Sequence, residues 1–323
     1  MYCSSRKLTA IILLLAFLLG ICGCQAQARR PQTDEADVKL AEEVAKYDNE
    51  PTISLFRKAD GSKEDIKLEK YVQGVVAAEV GEKFPLEVLK AQAILARTMT
   101  LALMEYQGGT RGKHGTDASD DHTEFQAYNE NKVDKDIIKA VEETRGQVLT
   151  YQGKFAYTFF HAVSYKKTAS IDEGFPKFKK YAADYIIPVK TDGLKAAPEK
   201  YTNWTVKVPA SEIKKIMGES ADLKKIKISK KGPTGRALTI TAGSAEISAL
   251  DLREEIGFDK LYSTMLSSIR LEGDNVVFKG NGWGHGCGME QWGASVMVTE
   301  QNKTAREIVE YYYPNTKLAT LYK

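Results

Sequence analysis

The residue that draws attention first is Glu79, which follows an apolar and small run in the stretch YVQGVVAAEV (71–80). A carboxyl among apolar neighbours loses the hydration of its charged form, so its pKa rises toward the range in which a general acid works near neutral pH. The same pattern fits a glutamate that ends a helix in solvent, and spacing by itself leaves both readings open. Further on, Lys90 and Arg97 in LKAQAILARTM lie on nearly the same helix face with Ala93 between them. Two cations with a small residue between them could hold a sugar or carboxylate ligand, or tune Glu79. A solvated basic face whose stems cover the core is the plainer alternative.

A second cluster is GNGWGHGCGMEQWGA (280–294), where glycines alternate with Trp283, His285, Gln291 and Trp292. Such glycine density lets backbone approach backbone or ligand closely, and the indole faces suit sugar rings. No dinucleotide or phosphate loop is present in it, because no G-x-G-x-x-G leads from a strand into a helix with an acidic partner. A purely structural glycine loop is the other reading. Between residues 114 and 124, His114, Asp117, Asp121, His122 and Glu124 are metal-capable types on a loop, but their spacing matches no standard zinc motif.

These residues need elements to hold them. Asp60-Gly61 between two short β-type runs, 52–57 and 65–68, predicts a hairpin. Helices are expected over 69–80 and 85–106, with Gly81 closing the first and Pro85 in the first turn of the second. Another helix is expected over 134–145 and a hairpin over 147–151 and 155–161. From Asn203 to Gly280 the texture changes to short alternating strands and helices, which predicts a small inserted α/β domain at 203–275. The catalytic domain would then comprise 51–202 and 276–323, the second part carrying the glycine block and two helices, near 289–300 and 304–312. The expected class is α+β.

Composition is that of an ordinary globular chain, 43% hydrophobic and 28% charged over 323 residues. Arg6 and Lys7 precede an apolar run from Ala10 to Leu19, shorter than the ~20 residues of a spanning helix, which predicts a signal peptide at 1–23. Ile21-Cys22-Gly23-Cys24 has the apolar, any, small, Cys order of a bacterial lipobox, so Cys24 is the expected lipidation site. Residues 24–50 would then be a lipid-anchored, partly mobile spacer, with room for a short helix around 35–47. Without Arg6 and Lys7, 44 basic residues face 43 acidic ones, which argues against nucleic acid as a partner. Cys287 is then the one thiol left besides Cys24, so neither a disulfide framework nor a cysteine zinc site is expected.

Taken together, YVQGVVAAEV with LKAQAILARTM, LDLREEIGFDKLYSTMLSSI, GWGHGCGMEQWGA and IVEYYYPNTKL resemble the stage II sporulation protein D / LytB family, from about Ile53 onward. The resemblance implies a mixed α/β enzyme outside the cytoplasm, acting on peptidoglycan in engulfment during endospore formation. Lytic transglycosylase activity on glycan stripped of stem peptides is implied for it, giving 1,6-anhydro ends, with Glu79 in the catalytic position and Lys90 and Arg97 as functionally important basic residues. An amidase is an implied partner. Substrate contacts are expected from His161, Ser164, Trp283, His285, Gln291 and Trp292. The serine- and glycine-rich stretch usual after the histidine is degenerate here, reading FHAVSYKKTAS. Some members carry zinc on one histidine and two cysteines; here His114 remains but Ser119 and Phe125 stand at the cysteine positions, so neither metal nor other cofactor is expected. In the glycine block Cys287 and Glu290 replace a more usual apolar residue and serine. These departures keep open a glycan-binding, amidase-stimulating module of the LytB kind, and a lipoprotein scaffold that docks through its insert.

Overall fold

The structure, a computed structural model, describes residues 39–80 and 84–323. The expected signal peptide, the lipobox with Cys24 and most of the spacer lie outside the described residues.

Chain order begins with the hairpin. Thr52–Phe56 pairs antiparallel with Lys63–Lys67, and Gly61 turns the chain at φ 74°, a conformation open to glycine at little cost. The helix Leu68–Glu79 follows at once. Leu68, Tyr71, Val72, Val75 and Val76 are all buried, the i, i+3, i+4, i+7 stripe of a helix laid on a core. The next helix, Leu86–Gln107, is the central beam of the fold, buried without interruption from Ala91 to Ala102 and stopped by Gly108 at φ 74°. Two hydrophobic clusters share it. Leu89, Ala93, Ala96 and Met99 face the glutamate helix, whereas Val88, Ala91, Ile94 and Leu95 face the C-terminal segments around Met289, Ala294 and Ile308.

Lys135–Glu143 packs on the same beam, started by Asp134, whose side chain accepts from Asp136 N and Ile137 N. Beside it Gln147–Tyr151 lies between Lys154–Phe155 and the late strand Lys317–Thr320, all antiparallel. The expected second hairpin arm is therefore only two residues long. After Ala156 the chain leaves the sheet, Tyr157 N donating to the Tyr185 hydroxyl, and Phe160–His161 pairs in parallel with Met289–Glu290. That parallel step, across more than a hundred residues of sequence, brings the histidine segment against the glycine block.

Residues 204–280 have their own buried cluster, centred on Trp204, Ile213, Ile240, Leu252 and Phe278. It joins two three-stranded antiparallel sheets, Leu266–Glu272 with Asn275–Gly280 and Trp204–Pro209, and Ala245–Ser248 with Ala237–Gly243 and Ala221–Lys231. Packing nevertheless runs through without a break, so residues 39–323 make one compact unit of α+β class. The end of the expected spacer carries a helix inside the 35–47 stretch where one was expected, but it is docked on the domain and not mobile. Glu42–Ala45 is helical, Ala41 N donates to Gly153 O, and Glu50 pairs with Arg145, so the chain is docked from residue 39 onward.

Candidate active site

Glu79 is the last residue of its helix, where the chain leaves the core and the side chain meets a cleft of about 820 Å³. Its Oε1 accepts one hydrogen bond, from Ala127 N at 3.2 Å. Partly open to the cleft yet crowded by protein atoms, the carboxyl is pushed up to about 7 by desolvation, which the Ala127 amide offsets only in part. A carboxyl raised this far can hold a proton near neutral pH, the state an acid needs, and can act as a base once it has given the proton up.

The placement depends on Gly74 one turn and a half earlier. A Cβ there would overlap the Tyr128 ring, which stacks on Tyr71, and Asn129 N donates to the Gly74 carbonyl at 2.9 Å. Glycine inside a helix costs about 1 kcal/mol relative to alanine. In return the 122–129 loop lies close enough for Ala127 to reach Glu79.

The cleft walls are mostly apolar and aromatic. Phe84, Phe159, Phe175, Phe178 and Trp292 line one side and Tyr201, Trp283 and Phe258 another, with His122, Glu124 and Asp259 among the polar groups. Phe84 and Trp292 pack at 4.6 Å between ring centroids, as do Tyr201 and Trp283. Of the residues expected to touch substrate, His161, Trp283, His285, Gln291 and Trp292 line this cleft together with Glu79. Gln291 Nε2 donates to the Glu79 backbone carbonyl at 3.4 Å, tying the glycine block to the helix end.

Of the three cleft histidines, His161 and His285 make hydrogen bonds to protein partners. Arg236 Nη2 donates to Ser164 Oγ at 3.0 Å, which leaves the Ser164 hydroxyl proton for His161 Nε2 at 2.7 Å. His161 Nδ1 must then carry the proton it gives to Cys287 O, so the ring is neutral with both nitrogens used. Burial, with His285 and Arg236 close by, holds its pKa well below the usual imidazole value. His285 Nδ1 accepts from Cys287 N at 3.1 Å, and burial with Arg253 nearby lowers its pKa to about 3. The His161 ring is thus not free to exchange protons with a ligand, and Ser164, expected as a substrate contact, lies beneath the cleft wall as the link between Arg236 and His161. Glu290, fully buried, accepts from Ser164 N at 2.7 Å, and desolvation raises it to about 8, so it is a neutral acid below that wall. Burial pushes the Cys287 thiol up to about 12, leaving it inert.

Lys90 and Arg97 do not line the cleft. Arg97 is fully buried and grips Glu69 through Nε at 2.9 Å and Nη2 at 2.5 Å, while Nη1 donates to the Gln147 carbonyl at 3.0 Å. Burial alone would raise the Glu69 pKa, but Arg97, with Tyr322 and Gly146, holds it below the usual carboxylate range. Lys90 sits between Glu87 at 2.7 Å and Glu143 at 2.5 Å. The reason is geometric. Both project from the part of the long helix that meets Lys135–Glu143 and Gln147–Tyr151, away from the end of the glutamate helix.

In the acidic loop, His114 stacks on Phe56 at 3.8 Å and its Nε2 bonds Glu124 at 2.6 Å; Ser119 is in a short strand and Phe125 packs against the core. This donor set does not fit zinc, and among the described residues no three His, Cys, Asp or Glu side chains converge as metal ligands. Asp117 accepts from the Ser54 hydroxyl on the first strand, and Asp121 from the Thr123 hydroxyl within the loop. The aromatic residues that sequence reading passed over, Phe84, Phe159, Phe175, Phe178, Tyr201 and Phe258, stand singly in irregular segments; the Gly-Phe-Pro-Lys-Phe run at 174–178 is the one local signal that marks any of them.

Glu79 thus faces a large, mostly apolar and aromatic cleft with a few polar groups, the general form of a ligand site. The stage II sporulation protein family model matches residues 58–151, the segment that holds Glu79 and the long helix. Stage II sporulation protein D of Bacillus subtilis is 30% identical, the alignment taking in 97% of this chain and 93% of that protein. Its counterpart in Bacillus amyloliquefaciens is also 30% identical, over 83% of this chain and 78% of the relative. The chain belongs to the stage II sporulation protein D family. It is similar as well to the amidase enhancer of B. subtilis, 24% identical over 77% of this chain and 40% of the relative.

Proposed function

We infer that this protein is a lytic transglycosylase that cuts the linkage between N-acetylmuramic acid and N-acetylglucosamine in glycan strands freed of stem peptides, in sporulation or engulfment. The observation that carries this reading is Glu79, one desolvated carboxyl with a pKa of about 7 facing a cleft of sugar-sized aromatic walls. As acid, Glu79 gives its proton to the bridging oxygen while the muramic C1–O bond breaks. As base, the resulting carboxylate takes the proton of the muramic 6-hydroxyl while O6 bonds to C1, closing the anhydro ring and restoring the acid. One carboxyl thus completes the cycle without water, unlike hydrolases that require a second carboxylate. Glycan is held by ring stacking on Trp283 and Trp292, with Gln291 at the end of the glutamate helix.

The protein acts outside the cytoplasm, exported by its leader and held at the membrane by a lipid on Cys24; among the described residues no helix is long and apolar enough to cross a membrane. Likeness to an amidase enhancer favours a second reading, in which the cleft grips glycan and stimulates an amidase without cutting. Mass spectrometry of sugar ends separates the two. Wild-type protein on amidase-treated peptidoglycan should release anhydro-muramic ends, and Glu79→Gln, which keeps the volume but cannot give the proton, should release none while still binding. Absence of anhydro ends with the wild type, alongside undiminished binding, would overturn the enzyme reading in favour of the enhancer.

A further inference from the structure

The second core contributes one loop to the cleft, and that loop is built in an unusual way. Phe258 and Asp259 follow the helix Ala249–Ile256, where Gly257 at φ 103° turns the chain outward. Both side chains are exposed and both line the cleft, Phe258 with 42% of its surface free. An exposed phenylalanine on a loose loop would fold back onto apolar surface. Here the loop is braced from below. Buried Arg253 donates from Nε to Leu261 O at 2.8 Å and from Nη2 to Tyr262 O at 3.0 Å, and its guanidinium lies 4.7 Å from the Phe258 ring centroid. One face of the ring is therefore covered by the guanidinium and the other is left for a ligand. Tyr262 in turn packs 5.6 Å from Trp283, so the loop is continuous with the aromatic wall. Beside the ring, the Asp259 carboxylate has no hydrogen-bond or ion-pair partner among the described residues.

A flat apolar face next to an uncommitted carboxylate is the chemistry that recognises a pyranose: the ring takes the axial C–H face and the carboxylate accepts two hydroxyl protons. We propose that Phe258 and Asp259 form an outlying sugar subsite, which holds a ring of the glycan other than the two joined at the cut linkage and so makes binding depend on strand length. The proposal rests on the cleft being a glycan site. The second core is then part of the substrate machinery and not only a scaffold.

The test uses the full chain carrying Glu79→Gln, so that strands are bound and not consumed, with affinity measured on a ladder of peptide-free glycan oligomers. In the parent, affinity should rise with length until the subsite is filled. Adding Phe258→Ala should remove that rise, weakening the longer strands about five- to tenfold and the shortest ones little. Phe258→Trp should restore it, which a merely structural role for the ring would not predict. Equal affinity of parent and Phe258→Ala at every length refutes the subsite while leaving the glycan reading intact. If the parent binds no oligomer of any length, the glycan reading itself falls and takes the subsite with it.

Discussion

Replacing Glu79 by glutamine should make the protein more stable in a way that depends on pH. Desolvation raises the folded-state pKa to about 7 from the ordinary 4.5. An acid whose folded pKa is raised binds more protons folded than unfolded between those two values, so stability is lost as pH climbs from about 4.5 to about 7 and stays lost above. At about 1.4 kcal/mol per pH unit, the full difference is about 3 kcal/mol, and relaxation around the ionised group makes 2 kcal/mol a working expectation. Glutamine keeps the acceptor for Ala127 N and has no charge to desolvate. Urea unfolding of both proteins from pH 4 to pH 8.5 should therefore give nearly parallel midpoints at the acid end and a gap that opens to about 2 kcal/mol by pH 8. Glu290, also raised by burial, is common to both proteins and cancels in the difference. A gap that is constant across the range would show that Glu79 is solvated as an ordinary surface carboxylate, and the acid–base role would lose its physical basis.

Arg97→Met should cost about 3–5 kcal/mol, because Glu69 is left buried without its partner, and removing Glu69 as well should recover part of that loss. Differential scanning calorimetry of the two single variants and the double measures it; full additivity would mean that the pair does not couple. Lys90→Ala, at a partly exposed pair, should change stability by no more than about 1 kcal/mol and leave glycan binding untouched. Gly74→Ala should destabilise by about 1–3 kcal/mol through overlap with Tyr128, and Tyr128→Ala in the same protein should relieve most of it, as read by thermal melting. If the alanine variant melts like the wild type, the tight approach of the 122–129 loop is not what fixes Ala127.

Much of the skeleton was legible from pattern. The glutamate and beam helices lie within one residue of their expected bounds, because apolar periodicity, Pro85 and the glycines past their ends are local signals. The glycine block and Glu79 line one cleft. What sequence could not supply was direction. Lys90 and Arg97 share a helical face, but nothing local states that this face meets Glu69, Glu87 and Glu143 instead of a ligand. The same limit hid the strand Lys317–Thr320 and the two-residue strand at Ala118–Ser119, whose partners lie far off in the chain. Cleft phenylalanines on loops carry no period at all, so only assembly reveals that they converge.

The Tyr322 hydroxyl donates to Glu69 Oε1 across 253 residues of chain. Glu69 opens the helix whose far end is Glu79, so the anion anchoring that helix keeps an open position until the last stretch of the domain arrives. In chain order the N-terminal half comes first, and this acceptor position on Glu69 is filled only by a residue next to the C-terminal end of the sequence. A chain halted short of Tyr322 would leave Glu69 with Arg97 and Gly146 as partners and lose the clasp that ties the start of the glutamate helix to the C-terminal segment.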